Sequence, residues 1–279
     1  SKEITCISGE LTLSTFYNVS GWAKLCYKER PFDYVIMDEA SQALFGMIAA
    51  CKNLGQNTIW IGDQNQMQPI VLLSKEALIR NDFAMLANGF STLCENFEYK
   101  SYILTETHRL LKKSAALTSV FYHTDLKSVA NFDYVFKNTT ISYIPKDGGT
   151  ILVFKNMPIG EKADKESCDV TIRIVEDILS FNPKLKIAVL TKFRAAVRML
   201  QNCFISKYGS KENVLIDTVE RFQGMTCDVC IYYIPNTMMG MSLDKPLFNV
   251  ATSRAKQLTI IIADNSILNT SCHRDVHSY

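Results

Sequence analysis

Three absences limit what this sequence can encode. No apolar run approaches the roughly 20 residues that a helix needs to span a bilayer, and the opening residues carry no signal-peptide pattern. We therefore expect no membrane association and a cytoplasmic protein, or a nuclear one in a eukaryote. The net charge is only +2, which is not the strongly basic signature of a protein that binds nucleic acid by bulk charge. Any such binding must use a local groove.

A disulfide framework is also absent. Nine cysteines, an odd number, are scattered through predicted strands and helices, unlike the pattern of a small secreted domain. The one close pair, Cys227 and Cys230, lies in an apolar run that predicts a strand, where this spacing sends the two side chains to opposite faces, so we expect no zinc site. The sequence begins with Ser rather than Met, and we expect a processed or excised piece of a longer chain.

Short buried-strand patterns alternate with helical patterns, which is typical of α/β proteins with parallel sheets covered by helices. The predicted strands are 34–37, 58–61, 186–190, 229–233 and 258–262. Apolar residues at helical spacing predict helices over 167–181 and 193–204. We place a domain boundary near 97–104, and we expect the polar region 131–150 to be a surface excursion of the second domain.

Five short motifs occur in a fixed order along the chain. They are DEASQ at 38–42, GDQNQ at 62–66, THR at 107–109, TVERFQG at 218–224 and NVATSRAK at 249–256. The ordered set resembles the later half of the motif series of superfamily 1 helicases, and most closely the 5′-to-3′ branch with DEA(S/T)Q boxes that includes the nonsense-mediated-decay helicase. The resemblance covers about residues 32–264.

The resemblance implies two RecA-like parallel-sheet units, the first of them truncated at its N-terminal side. Residues 1–100 would be a partial first domain with motifs II and III, and residues 101–279 a second domain with motifs IV to VI. The phosphate-binding loop Gly-x-x-x-x-Gly-Lys-Ser/Thr is absent from the sequence. We therefore expect a missing N-terminal part of the same protein to carry it, and we expect residues 1–279 alone to hydrolyse ATP negligibly.

Two acids and an amide are the candidate catalytic groups of the first unit. Asp38 and Glu39 directly follow a predicted strand, at the edge of a sheet where open α/β folds bind ligands. The resemblance implies that Asp38 holds Mg²⁺, that Glu39 orients or deprotonates the attacking water, and that Gln66 lies beside the γ-phosphate of ATP. Taken alone, Asp38-Glu39 would be interpreted as a solvated acidic turn after a strand, and residues 62–66 as a Gly-Asp turn after the next strand.

Arginines are the candidate groups of the second unit. The resemblance makes Arg109 and Arg254 arginine fingers, since a guanidinium can pair with the charge that develops on a transferred phosphoryl group. Gln223 and Gly224 complete the implied nucleotide site, in which Glu39 also takes part. His108 stands where the family often has tyrosine, and Thr226 where it usually has glutamate.

Four residues are implied to contact a single strand: Thr191, Lys192, Phe193 and Thr218. Such contacts would be hydrogen bonds or ion pairs to phosphate and stacking of a ring on a base, and neither depends on the base sequence. Phe193 fits an apolar anchor for the following helix equally well. No motif encodes contacts to a 2′-hydroxyl, and we favour DNA over RNA.

The sequence as a whole predicts the C-terminal portion of an ATP-dependent helicase that couples ATP hydrolysis, at the cleft between the two units, to movement on single-stranded nucleic acid. The alternative is a non-catalytic module that binds nucleic acid or protein on a degenerate helicase fold. A metal-dependent nuclease lacks a spaced cluster of acids beyond Asp38 and Glu39. The terminal residues 273–277 are expected to be a flexible tail.

Overall fold

The computed structural model describes residues 7–26 and 28–279, and it divides the chain into two compact units, Ser1–Tyr102 and Ile103–Tyr279. The assignment of residues 1–100 and 101–279 to a first and a second RecA-like domain stays a prediction. Among the described residues, no helix is long and apolar enough to cross a membrane.

Unit 1 contains a small parallel sheet with helices packed against it. Its strands and helices are α1 (Phe16–Cys26), β1 (Phe32–Met37), α2 (Phe45–Leu54), β2 (Gly55–Trp60), α3 (Lys75–Arg80), α4 (Ala84–Ala87) and α5 (Gly89–Asn96). The strands β1 and β2 pair in parallel, with Met37 opposite Trp60. A short 3-10 helix, Ala40–Gln42, follows β1. Local capping agrees with the sequence, because the hydroxyl of Ser74 accepts from the backbone N–H of Ala77 at 3.2 Å and begins α3.

The two faces of this sheet differ in burial. Met37 packs with Ile48 of α2 and Phe90 of α5 in the core of the unit. Side chains alternate between faces along a strand, and those on the other face of β1 are open to solvent: Tyr34 is 64% exposed and Ile36 is 62% exposed. Because parallel sheets are normally covered on both faces, unit 1 presents an apolar sheet surface that its described residues do not cover.

Unit 2 is a five-stranded sheet in which every pairing is parallel, in the order β5-β9-β8-β6-β7. A separate two-stranded ladder, β3 with β4, precedes it. The strands are β3 (Glu106–Thr107), β4 (Lys127–Ser128), β5 (Gly149–Phe154), β6 (Ile187–Thr191), β7 (Val214–Thr218), β8 (Cys227–Ile234) and β9 (Ala255–Ala263). The helices are α6 (Lys112–Ser119), α7 (Lys165–Phe181), α8 (Arg194–Tyr208), α9 (Val219–Phe222), α10 (Met239–Ser242), α11 (Lys245–Thr252) and α12 (Arg274–Ser278). Two 3-10 helices complete the unit: Val135–Asn138 and Asn265–Asn269.

Helices cover both faces of the large sheet. On one face, Ile231 of β8 lies in the same core as Val175 of α7 and Leu200 of α8. On the other face, Tyr232 meets Phe248 of α11, with ring centroids 6.0 Å apart. This two-sided burial explains why β6, β8 and β9 are almost continuously apolar.

The predicted α/β class and parallel sheets are confirmed, and so are the five predicted strands and the two long helices. Strands β5 and β7 were not predicted. They form the two edges of the sheet, where partial exposure leaves a weaker apolar pattern.

The expectation that 131–150 is a surface excursion is wrong. Phe136 is fully buried, and Tyr134 and Ile144 join the main core of unit 2. Three apolar side chains in an otherwise polar stretch are enough to anchor it, because aromatic residues bury a large area each.

Candidate functional site

The acids of unit 1 follow β1 in a tight backbone bend. The Oδ1 atom of Asp38 accepts from the backbone N–H of Glu39 at 2.9 Å, and Glu39 adopts left-handed backbone angles, φ 52° and ψ 38°. Left-handed angles are uncommon for a residue other than glycine, and the strain that they store is one feature of functional sites. The Oε2 atom of Glu39 accepts from Nε2 of Gln42 at 3.3 Å, so the last residue of the DEASQ motif contacts its second.

The GDQNQ motif forms a turn directly after β2. The backbone N–H of Gln66 donates to the carbonyl of Asp63 at 3.2 Å. Both carboxylate oxygens of Asp63 are engaged: Oδ1 accepts from the backbone N–H of Asn65 at 2.8 Å, and Oδ2 accepts from Nε2 of Gln66 at 2.8 Å. Asp63 therefore caps the turn and holds the side chain of Gln66.

Backbone hydrogen bonds join these two motifs at the same edge of the sheet. The N–H of Ile61 donates to the carbonyl of Met37 at 2.9 Å, and the N–H of Ala40 donates to the carbonyl of Ile61 at 2.7 Å. The close approach depends on Gly62, because a Cβ there would lie 2.9 Å from the backbone nitrogen of Ser41. The structure thus brings Asp38, Glu39 and Gln66 to neighbouring strand ends, as their sequence positions predict.

Unit 2 brings the two candidate arginines to one turn. Nη1 of Arg109 donates to the carbonyl of Ser253 at 3.5 Å, and Ser253 immediately precedes Arg254. The side chain of Arg254 is only 2% exposed, and its Nε donates to the carbonyl of Val250 at 3.2 Å. Burying a guanidinium is costly unless it is hydrogen-bonded, so the α11 terminus is built around this side chain. His108, next to Arg109, is exposed.

Two thiols line the inner side of the same turn. Sγ of Cys230 donates to the carbonyl of Ala251 at 3.2 Å, and Sγ of Cys227 lies 3.7 Å from the carbonyl of Arg254. The expectation that these cysteines face opposite sides of β8 is wrong, because a register irregularity between Cys227 and Val229 interrupts the alternation. A hydrogen bond from Cys227, together with burial, holds the pKa of Cys230 well above its usual value.

The TVERFQG motif occupies the end of β7, α9 and the following loop. Thr218 is 7% exposed, and its backbone N–H donates to Oδ1 of Asp217 at 2.8 Å. Gln223 keeps its Nε2 buried with no hydrogen-bond partner among the described residues. Gly224 has a φ of +83°, and a Cβ there would meet nothing within 4 Å. The glycine is therefore required by backbone conformation rather than by local crowding.

Three of the four candidate strand-contacting residues lie at the end of β6 or directly after it: Thr191, Lys192 and Phe193. Thr191 is fully buried and Phe193 is 8% exposed. Phe193 packs in the main core, with Nζ of Lys162 5.5 Å from its ring centroid. Phe193 therefore occupies the position of an apolar anchor for α8, and its ring is not presented for base stacking in this conformation. The nucleic-acid roles of these residues stay predictions.

Lys192 is partly buried, with 25% of its side chain exposed, and it already forms an ion pair. Its ammonium forms a short ion pair with Oε1 of Glu220 in α9. The second oxygen of Glu220 is buried without a hydrogen-bond partner in the part of the chain that the structure describes. A phosphate contact by Lys192 would compete with this carboxylate.

Sequence reasoning missed the residues that hold the site together. Asp63 and Glu220 lie inside recognised motifs, yet neither was given a role. Asp at the first position of a turn is a known signal, because its carboxylate accepts from the backbone two residues on, so Asp63 could have been found. Glu220 could not, since its partner Lys192 is 28 residues away in the chain.

The expectation of a flexible tail at 273–277 is also wrong. Helix α12 begins after His273, and Asp275 and Val276 are buried. The carboxylate of Asp275 pairs with Nζ of Lys245 in α11 at 2.8 Å. The ring of Tyr279 lies 5.6 Å from that of Phe121, between centroids. The first contact joins the terminal residues to α11, the helix that precedes Arg254, and the second joins them to the segment after α6.

The described residues contain no group of three His, Cys, Asp or Glu side chains that could hold a metal ion by themselves. The acids after β1 suit a different kind of site. Mg²⁺ is usually held by one or two carboxylates together with phosphate oxygens, and Asp38 supplies an exposed carboxylate at a sheet edge. The residues present therefore fit Mg²⁺ only as part of a complex with a phosphorylated ligand.

In comparisons with known proteins, the chain matches one family model and is similar to several proteins that are named as helicases. The AAA_12 family model, described as an AAA domain, matches residues 86–266, which is more than half of the chain. A protein of Methanocaldococcus jannaschii named as an uncharacterized ATP-dependent helicase is 27% identical over 254 residues, which cover 85% of this chain and 36% of that protein. The DNA replication ATP-dependent helicase/nuclease DNA2 of Saccharomyces cerevisiae is 27% identical over 281 residues, which cover 87% of this chain and 18% of that protein.

The chain thus spans about a third or less of the length of these two relatives. Among solved structures, the helicase nonstructural protein 10 of an arterivirus aligns with 81% of this chain and 38% of its own, at 17% identity and a TM-score of 0.41.

Proposed function

Because the chain belongs to the AAA_12 family of AAA domains, and because relatives that match most of its length are named as helicases, we propose that it is the C-terminal portion of an ATP-dependent nucleic-acid helicase. It would couple ATP hydrolysis to movement along a single strand. The observation that carries this proposal is the set of backbone hydrogen bonds between the segments that bear the DEASQ and GDQNQ motifs. Bonds from Ile61 to Met37 and from Ala40 to Ile61 hold acids and an amide at adjacent strand ends.

The carboxylates after β1 are proposed to act on the nucleotide. Asp38 would hold Mg²⁺, which supplies charge neutralisation to the phosphates when it is bound. Glu39 accepts from Gln42, which restricts where its carboxylate can point, and it would orient the attacking water or take a proton from it. The strained backbone of Glu39 supports a functional role, since such strain is retained where a side chain must be aimed.

The arginines of unit 2 are proposed to stabilise the negative charge that develops on the γ-phosphoryl group. Arg109 and Arg254 are linked through the carbonyl of Ser253, so a movement of one changes the surroundings of the other. Both arginines belong to unit 2, whereas Asp38, Glu39 and Gln66 belong to unit 1, so the proposed hydrolysis would need groups from both units. Gln223 and Gly224 would contribute to nucleotide binding, and Thr191, Lys192, Phe193 and Thr218 to binding of a single strand, with DNA favoured over RNA.

A further part of the same protein is proposed to supply the phosphate-binding loop. The sequence contains no Gly-x-x-x-x-Gly-Lys-Ser/Thr segment, which is the motif that supplies a backbone cradle and a lysine to the phosphates. The apolar face of unit 1 supports this proposal, because Tyr34, Ile36 and Ile59 are 64%, 62% and 45% exposed. A preceding segment of the chain would cover that face.

One observation favours the alternative, a non-catalytic binding module. Arg254 is almost completely buried and hydrogen-bonded within its own unit, as a structural arginine would be. In that reading, the helicase fold persists as a platform for nucleic acid or protein.

The two functions are separated by measuring ATP hydrolysis stimulated by single strands. The full-length protein, its Glu39→Gln variant and residues 1–279 would be compared. Activity in the full-length protein that is lost in Glu39→Gln and negligible in residues 1–279 is the expected result. If the full-length protein binds single strands without hydrolysing ATP, the helicase hypothesis is rejected and the non-catalytic binding module is supported. Oligonucleotide-stimulated phosphate release by residues 1–279 would show that the missing loop is not needed.

A further inference from the structure

We propose that Thr259 and Cys230 are positioning residues that hold the end of α11 in place while the arginines of unit 2 act on a phosphoryl group. This inference rests on the proposed function, in which Arg109 and Arg254 stabilise the negative charge that develops on the γ-phosphoryl group. It adds two residues to that function, and neither of them lies in one of the five motifs. The proposal starts from the carbonyls at the end of α11.

The last carbonyls of α11 accept hydrogen bonds from side chains. A helix leaves its final carbonyls without partners inside the helix, so these groups need donors from elsewhere when they are buried. The four consecutive carbonyls of residues 250–253 each accept from a side chain. The donors, in that order, are Nε of Arg254 at 3.2 Å, Sγ of Cys230 at 3.2 Å, Oγ1 of Thr259 at 3.2 Å and Nη1 of Arg109 at 3.5 Å.

Two of these donors are fixed on the core of the large sheet. Cys230 of β8 pairs with Thr259 of β9 in the parallel register, so their side chains stand side by side on one face. Both residues are buried. A hydrogen bond from Cys227, together with burial, raises the pKa of the Cys230 thiol, which therefore keeps its proton at neutral pH and can donate it. Neighbouring core strands thus hold the helix end at two consecutive carbonyls.

The other two donors are the candidate phosphate ligands themselves. A guanidinium that turns toward a phosphate gives up the carbonyl that it contacts, and it gains a partner that carries a full negative charge. If Arg109 or Arg254 leaves its carbonyl in this way, the turn still keeps the hydroxyl of Thr259 and the thiol of Cys230. The sheet residues therefore hold the backbone that carries Arg254 when the arginines move, and preorganised positive charge is what stabilises such a transition state.

The test removes one hydroxyl and keeps the shape of the side chain. Thr259→Val replaces the hydroxyl by a methyl group and takes this donor away from the carbonyl of Thr252. We expect kcat of the full-length protein for ATP hydrolysis to fall roughly 10-fold. KM for ATP should change little, because the arginines act on charge that develops in the transition state. Thr259→Ser restores the donor and should recover most of the lost kcat.

The matched control is Thr171→Val in α7. Thr171 is also fully buried in unit 2, and its Oγ1 donates to the carbonyl of Ser167 at 2.8 Å. All variants are assayed at a temperature at which circular dichroism shows them to be folded, and Thr171→Val should retain the kcat of the wild-type protein. Equal losses in Thr171→Val and Thr259→Val, or no recovery in Thr259→Ser, would mean that kcat follows the stability of unit 2 alone, and would overturn the proposal.

The role of the thiol is tested separately. A thiol is a weaker donor than a hydroxyl, so Cys230→Ala should lower kcat less than Thr259→Val does, and the double variant should be slower than either single variant. A double variant no slower than Thr259→Val would overturn the role of Cys230. If Thr259→Val does not fold, Cys230→Ala carries the test, and a wild-type kcat in that variant would overturn the proposal.

A measurement without ATP separates this inference from the proposed function. The backbone N–H of Ser253 donates to the carbonyl of Asn249 at 3.0 Å, so its hydrogen exchange reports opening of the end of α11. In the full-length protein, the amides of residues 250–254 should exchange roughly 10-fold faster in Thr259→Val than in the wild type, and at the wild-type rate in Thr171→Val. Unchanged exchange in Thr259→Val would overturn the positioning role whatever the protein catalyses. If the wild type does not hydrolyse ATP, the proposed function fails, and the exchange rates still decide whether Thr259 holds the turn.

Discussion

Replacing Gly62 by alanine tests whether the two motifs of unit 1 must touch. A Cβ at this position would lie 2.9 Å from the backbone nitrogen of Ser41 and 3.1 Å from two ring atoms of Phe90, whereas carbon atoms prefer about 3.5 to 4.0 Å. Ser41 is fully buried and Phe90 is 9% exposed, so neither can withdraw without moving the core. Overpacking of this kind costs about 1–3 kcal/mol, and we expect the free energy of unfolding of unit 1 to fall by that amount.

Tryptophan fluorescence can follow this change, because both tryptophans of the chain, Trp22 and Trp60, belong to unit 1. The urea midpoint should fall by roughly 1 M for a slope near 2 kcal/mol per M. The matched control is Gly46→Ala in α2, where a Cβ would meet nothing within 4 Å; it should leave the midpoint unchanged or raise it, since alanine suits a helix better by roughly 0.5–1 kcal/mol. Equal midpoints for Gly62→Ala and the wild type would refute the close approach.

Two further predictions concern charged pairs of unit 2. The hydrogen bond from Lys245 holds the pKa of Asp275 below its usual value, so its contribution to stability is complete above the unfolded pKa of about 3.9 and is lost as pH falls through the lower folded pKa. Asp275→Asn should flatten the fall in urea midpoint between about pH 4 and pH 2, followed by circular dichroism, and an unchanged slope would count against this pair. Glu220→Gln should release Lys192 from its ion pair and tighten binding of a single-stranded oligonucleotide by residues 1–279. The slope of the logarithm of the binding constant against the logarithm of the salt concentration should become steeper by about one. Glu176→Gln, which breaks the separate pair with Lys207 at 2.8 Å, should change neither, and equal effects would mean that Lys192 makes no phosphate contact.

The central strands of unit 2 could be predicted from the sequence because burial on both faces leaves only apolar residues. Strand β6 is buried at every position, and its apolar run marks it directly. The edge strand β7 mixes buried and partly exposed residues, so its hydrophobic pattern does not by itself predict a strand. The strand order could not be predicted either, because parallel strands that are neighbours in the sheet are separated by long crossovers.

The candidate site was predictable where its residues are contiguous in the chain. Asp38 and Glu39 follow a strand, and Gln66 lies in the turn after the next strand, so their common edge follows from parallel pairing alone. Burial was not predictable in this way. Arg254 and Phe193 belong to motifs that suggest accessible groups, yet their side chains are only 2% and 8% exposed. Motif position indicates which backbone edge a residue occupies, whereas tertiary packing determines what its side chain can reach.

In each unit, an acid within a motif binds a polar side chain of the candidate site: Asp63 binds Gln66, and Glu220 binds Lys192. The two pairs differ in what they do to the side chain that is bound. Asp63 accepts a hydrogen bond from the NH₂ group of Gln66, and this bond does not neutralise a cation. Glu220 neutralises the ammonium of Lys192 itself, so a phosphate can gain this cation only by displacing the carboxylate. Single-strand binding through Lys192 would therefore be weakened by the energy of the internal pair. With a net charge of only +2, such competition favours fast release, which a motor needs at each step and a storage or coating protein does not.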